Sequence, residues 1–560
     1  MLDFDEDHLQ PLLGQAMAGD HEVHSTESST GGAYCANDSQ FSRARIMRND
    51  RLPRSELTLE ESTAGGLGRH LGVISTIFLI FGRMVGSGIF AIPSSVTAAV
   101  GSTGATLMVF TLAFLLSFAG MAIWLELACM FPRSGGTKVY LEAAFPKPKL
   151  LTTALFSVQA TLMCFTASGL IVFASNVLFA AGIYESPEWL NRGIAVAAGL
   201  CVTALHTFFP MIGVQLMNII GALKFSLLTF VVVSGWVVLS GKVDSVPDPH
   251  ASFRNAFRGS ATSVSVYATA LFKAIGCYSG WANATYVLNE VKDPVRTLKI
   301  AGPTALVICG FLNTSAIITY FSALSPSEVA QGGVTVVAVF ADKLFGEAGM
   351  RSISVFVALS ALGNTMAISF AQGRLNQELA KEGLFPFSRV WASNWPFGTP
   401  MAGLILHLLP TFIILLAVPM GDIYNFIIDV EVYPDTIISC LVVIGLFYLR
   451  WVLPDVERPF KVWLPVPIFF ILGQVFLIVT PWIPPPNGIG DTTLPYWLYP
   501  LVGLSMLTGG LSYWLFWRVL LPWFGQYNLE PKHSRLADGT VVVEYERVRR
   551  TQSTDVGTDM

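Results

Sequence analysis

The residues best suited to chemistry are two small clusters placed where an apolar helix should not be interrupted. In LGVISTIFLIFGRMVGSGIFAIPSSVTAAV, residues 71–100, Gly82, Gly86, Ser87 and Gly88 fall near the centre. In YATALFKAIGCYSGWANATYVLNE, residues 267–290, Gly276 and Gly280 flank Cys277, Tyr278 and Ser279. Glycine costs a helix about 1 kcal/mol relative to alanine, and an opened backbone in hydrocarbon costs more unless something fills the gap. Close helix packing explains a single glycine cluster equally well. Paired clusters in corresponding spans point instead to a site between two inverted repeats. An opened helix frees N–H groups at the start of one half and C=O groups at the end of the other. The first draw a carboxylate and the second an ammonium, helped by the half-helix dipoles. An α-amino acid carries both. Gly86, Ser87, Gly88 and Ile89 are the expected carboxylate half, and Cys277, Tyr278, Ser279 and Gly280 the ammonium half.

The elements that would position these clusters are apolar runs. The 560 residues are 53% hydrophobic and 13% charged, about half the charge of a soluble protein. Runs long enough to cross a hydrocarbon layer of about 30 Å recur. They fall at roughly 71–98, 103–130, 150–182, 190–208, 213–240, 263–289, 299–323, 350–373, 399–418, 423–449, 462–483 and 494–519. The fold class expected is an all-α membrane protein of twelve transmembrane helices in two five-helix halves, with helices one and six discontinuous. Residues 1–70 contain STESSTGG and little to bury, and are expected to be a disordered tail. Residues 520–560 form the C-terminal tail.

Twelve spans put both tails on one side. Loops on that side carry thirteen Lys and Arg, from Arg133 to Lys461, against six opposite: Arg192, Lys242, Arg254, Arg258, Lys343 and Arg351. The positive-inside rule makes both termini cytoplasmic. Asn313-Thr314-Ser315 fits the glycosylation pattern but lies within a span. Of seven cysteines only Cys35 lies in a tail, so no disulfide framework is expected. A net charge of −4 gives no reason to expect nucleic acid. The sequence has no P-loop, HExxH or CxxC. No enzyme activity, metal or cofactor is expected.

GSGIF in the first span and the aromatic-then-GW segment in the sixth resemble the amino acid-polyamine-organocation superfamily. Phe131-Pro132-Arg133-Ser134-Gly135-Gly136, Asn289-Glu290-Val291-Lys292-Asp293-Pro294 and Arg458-Pro459-Phe460-Lys461 extend the resemblance along residues 71–519. Within it, GRMVGSGIF, YSGWANATYVLNEVKDP and IIDVEVYPD are most similar to the L-type-like fungal methionine permeases. The resemblance implies the LeuT-like five-plus-five inverted repeat and plasma-membrane uptake of neutral amino acids, with methionine the name attached to the group. It also implies lipid around the spans, and ubiquitin-ligase adaptors acting on the tails. Residues 1–70 have no lysine, which leaves Lys532 as the acceptor in the tails. A disulfide-linked heavy chain is not expected, because GIYESPEWLNR lacks the cysteine that heavy-chain-linked animal members carry there. L-type members often place an aromatic gate where this chain has Gly276, so Tyr278 or Trp281 is the alternative gate.

Charges inside the spans each cost on the order of 2.5–3.5 kcal/mol. Lys224 lies about eleven residues, or roughly 16 Å, into the fifth span. Its ammonium is expected where related sodium-driven carriers hold their ion, touching helices one and eight and coupling transport to protons; the alternative is a lysine that snorkels or stays paired. Arg83 is expected in an ion pair closing the cytoplasmic path, with Glu126 or Glu290 as partner; the alternative is approach to a substrate carboxylate. Lys273 is placed at an outer vestibule without a role. Asp429 and Glu431, two apart, cannot share a helix face, so at least one should meet water. Ser360, Asn364 and Ser168 are candidates for the pocket wall. Two functions compete: secondary active import, and an amino-acid sensor that binds without transport. A channel finds no filter-like ring of charges.

Overall fold

The structure is a computed structural model. It describes residues 71–549 except 87, 133–134, 419, 457 and 486–493, and omits the side chains of 287, 289, 290 and 420–423. The expected N-terminal disorder, Ser87, Arg133, Ser134 and the Glu290 side chain therefore lie outside the described residues. Helix occupies each stretch expected to span. Among the described residues, seven helices are long and apolar enough to cross a membrane, and the pair Val73–Met84 and Gly88–Val100, bent by 41°, is an eighth when taken as one span. The chain is a multi-pass membrane protein, and the described residues are mostly helical.

Apolar side chains surround many of these helices rather than marking one face, as burial against both lipid and protein requires. Exposed Ile, Leu, Val and Phe on Pro210–Leu239 form one such outer surface. The centre is filled by the broken first pair, Val264–Gly276, Pro294–Ala323 and Thr103–Met130, which pack against one another. Ala167–Ala180 packs along the long helix Val336–Lys381, which bends at Gly346, where φ is 66°.

At one end a short segment covers the bundle. Ser325 caps the helix Pro326–Gln331 in a reciprocal capping box with Glu328. Ser94 Oγ donates to Ala330 O at 3.0 Å and accepts from Gly333 N at 2.8 Å. Asn176 Nδ2 donates to Val334 O at 3.3 Å. At the opposite end, strands β1 (Tyr527–Arg535) and β2 (Val541–Arg549) form an antiparallel hairpin. Val542 is buried against Ala380 and Ala392, and Asp538 accepts from Asn394 N at 2.6 Å.

Candidate substrate site

The first break begins where Val85 leaves the helix at φ −80°, ψ 84°. Gly86 N then donates to Met84 O at 3.0 Å, a tighter turn than the helical ladder allows. The freed Val85 carbonyl accepts Lys224 Nζ at 3.2 Å. Lys224 is buried, and a Cβ on Gly363 would lie 3.4 Å from its Cε, so the stem runs along the helix-eight backbone. Asn364, the next residue, occupies the space above Gly86, where a Cβ would come within 2.6 Å of Nδ2.

The second break follows Val264–Gly276. Cys277, Tyr278 and Ser279 donate back to Ala274, Ile275 and Gly276 in three-residue steps, which close off the end of the helix. Gly280 adopts φ +114°, and Trp281–Glu290 continues as a 3₁₀-helix. Asn313 Nδ2 donates to Cys277 O at 3.3 Å and Ser279 Oγ to Gly276 O at 3.0 Å. Tyr320 Oη donates to Ile89 O at 3.3 Å.

The two breaks touch at two points. A Cβ on Gly88 would stand 3.4 Å from Cys277 Sγ, and one on Gly280 would overlap the Arg83 stem. The left-handed backbone at Gly280 and the stem of Arg83 therefore fit only because residue 280 has no side chain. Such a meeting of two opened helices can hold both charged ends of one zwitterion.

A profile of the amino acid permease family matches residues 71–507. The chain belongs to the amino acid permease family. It is 34% identical over 496 residues to the high-affinity methionine permease of Saccharomyces cerevisiae, covering 88% of this chain and 86% of that one. It is 32% identical over 494 residues to the low-affinity methionine permease of the same yeast, covering 85% and 88%. Similarity reaches the mouse b(0,+)-type amino acid transporter 1, at 29% over 461 residues, covering 80% and 88%. The permease is a transporter rather than an enzyme.

Around the breaks, the permease departs from several expectations. Tyr278 is fully buried, with its ring 5.8 Å from that of Phe114. Trp281 is half-buried and packs edge-on to Trp124 at 5.2 Å. Gly276 leaves room for a Cβ, with Ile92 and Ile428 at 3.6 and 3.8 Å. Glu126 does not pair with Arg83. It is buried, binds Arg450 and Arg458, and accepts from Val462 N at 2.8 Å, because its position at the helix end faces the 450–462 segment. Glu431, half-buried, is a carboxylate within electrostatic reach of Arg83. Lys273 lines no vestibule. It is fully enclosed, within reach of the equally buried Asp429.

Sequence reasoning missed three features. Asp435, four residues after Glu431 and on its face, is exposed; the spacing within EVYPD was the available signal. Asn313 appeared only as a glycosylation match. The third span is also interrupted, at residues 164–166, between Leu151–Met163 and Ala167–Ala180.

Proposed function

We propose that the permease imports neutral amino acids, methionine among them, across the plasma membrane by alternating access. The observation that carries this is the contact of the two broken helices, Gly88 on Cys277 and Arg83 under Gly280. Opened N–H groups of one half-helix then lie beside opened carbonyls of the other, and this pair fits the main-chain groups of an amino acid. Asn313 uses one lone pair of the Cys277 carbonyl and leaves the second for an ammonium. The methionine permeases among the relatives support the choice of substrate.

A one-sided opening supports alternating access. Ser94 and Asn176 fasten the 325–336 segment over one end. Ser279 and Asp435, deep in the sequence of apolar helices, are exposed. In a twelve-helix, inverted-repeat arrangement with both termini cytoplasmic, the fastened end is extracellular and the open one cytoplasmic. Lys224 links the first break to helix eight, and loss of its proton would release Val85 O; this is the proposed coupling step. Lys532 is exposed on β1, paired with Glu546 at 2.5 Å, and is the proposed ubiquitin acceptor of the hairpin.

Uptake of labelled methionine into proteoliposomes, driven by an inward proton gradient, tests the coupling. Wild-type uptake should rise with the gradient and Lys224→Ala should lose that response. Full gradient-driven uptake by Lys224→Ala would sink the coupling step. Binding in detergent without flux would favour the sensor reading.

A further inference from the structure

Proline at residue 93 leaves a gap in the hydrogen-bond ladder of the half-helix Gly88–Val100. The carbonyl of Ile89 should accept from the N–H four residues on, and Pro93 has none. The proline ring also crowds that carbonyl. Ile89 and Pro93 are both buried, and a buried carbonyl without a donor is costly in a membrane interior. Tyr320 supplies the donor, with Oη 3.3 Å from Ile89 O. The phenol is itself fully enclosed, its ring edge-on to that of Phe340 at 6.1 Å. A second carbonyl is treated alike. Cys277 O, beside the stepped turns that close the half-helix Val264–Gly276, accepts from the buried Asn313 Nδ2 at 3.3 Å.

Both donors stand on one helix. Asn313 and Tyr320 lie on Pro294–Ala323, two turns apart, which is roughly 10 Å along nearly one face. The interval NTSAIITY has neither glycine nor proline, the usual sources of a kink. Asn313, Ala316, Ile317 and Tyr320 are all buried. Lys224 ties the first break at Val85 O, whereas Pro294–Ala323 holds both breaks, which meet where Gly88 faces Cys277. A straight stretch of helix bonded to the start of one half-helix and to the end of the other fixes the spacing between them.

We infer that Tyr320 is a positioning residue that, with Asn313, sets the spacing between the two halves of the amino-acid site and so selects α-amino acids over β-amino acids. The inference rests on the amino-acid reading of the two breaks and adds what holds them in register. One carbon separates the ammonium nitrogen from the carboxylate in an α-amino acid, and two do so in a β-amino acid. A ligand gripped at both ends by opened helices has no room for the extra methylene unless the breaks move apart. Tyr320 does not itself touch the substrate. It acts through the Ile89 carbonyl, which fixes the turn whose N–H groups face the carboxylate.

The test is inhibition of labelled methionine uptake in proteoliposomes by β-homomethionine, which keeps the thioether side chain and adds one methylene to the main chain. The unaltered permease should prefer methionine, and equal recognition of the two would overturn the inference. In Tyr320→Phe the ratio of the β-homomethionine inhibition constant to the methionine KM should fall about three- to tenfold, the effect of one neutral hydrogen bond. An unchanged ratio, or a change in Vmax alone, would overturn the inference. Pro93→Ala/Tyr320→Phe separates the tether from the mere pairing of a carbonyl, since residue 93 regains an N–H that closes the helical bond to Ile89 O. Its melting temperature in detergent should return toward that of the unaltered permease while the ratio stays low. Recovery of both would make Tyr320 a cap without a part in selection. The same double variant decides if Tyr320→Phe alone fails to fold, and a ratio equal to that of the unaltered permease would then overturn the inference. No methionine uptake by the unaltered permease would instead remove the transport reading beneath it.

Discussion

Replacing Gly280 with alanine puts a methyl group where Arg83 already lies. The new Cβ would overlap Arg83 Cγ and stand 3.2 Å from Arg83 Cβ. At φ +114° the alanine backbone is also strained, at about 1–3 kcal/mol, and overpacking adds about 1–3 kcal/mol. Together these oppose the joined state of the breaks by roughly 2–6 kcal/mol. Each 1.4 kcal/mol is about a factor of ten, so initial methionine uptake in proteoliposomes should fall by at least that factor. Arg83→Ala in the same chain removes the overlap with Cγ and leaves the backbone strain. A double-mutant cycle should therefore return a coupling of about 1–3 kcal/mol, with uptake partly regained relative to Gly280→Ala. Gly82→Ala is the matched control, since its Cβ meets nothing within 4 Å and the helix gains up to about 1 kcal/mol. Strict additivity between positions 83 and 280, or equal behaviour of Gly82→Ala and Gly280→Ala, would refute the contact as a determinant of the site.

Gly86→Ala should meet only the end of the Asn364 side chain; a loss of about three- to tenfold in apparent affinity is expected, recovered in Gly86→Ala/Asn364→Ala, as measured by scintillation proximity binding. Glu126→Gln strands Arg450 and Arg458 and should cost about 3–5 kcal/mol of stability, read as a lower melting temperature in detergent with little change in substrate KM. Ser94→Ala removes its two bonds to the 325–336 segment and leaves the one from Asn176. A cysteine at Ile92 should then label faster from that side, and unchanged labelling would count against the segment as a closure.

What the sequence made legible was local. Gly86, Gly88, Gly276 and Gly280 announce a break because the residue type itself weakens a helix, and long apolar runs announce spans by composition. The break at residues 164–166 was hidden because Gln372 and Thr411 impose it from more than 200 residues away. Partners of charges were hidden for the same reason: Glu126 offers no local sign that Arg450, 324 positions later, binds it. Lys273 looked like a vestibule residue since nothing along its own helix records the neighbour that encloses it. The hairpin was available in principle. Asp538-Gly539 between Tyr527–Arg535 and the alternating Val541–Arg549 is a turn signal, but it is a weak one in a stretch that follows the last apolar run and so reads as tail.

Counterflow tests the central claim most directly. Proteoliposomes loaded with unlabelled methionine are diluted into a trace of labelled methionine, with each of the twenty amino acids as competitor outside. Transient accumulation of label, abolished by neutral amino acids and spared by basic and acidic ones, is the predicted result. Saturable binding without accumulation, or accumulation abolished by basic or acidic amino acids and spared by neutral ones, would contradict it.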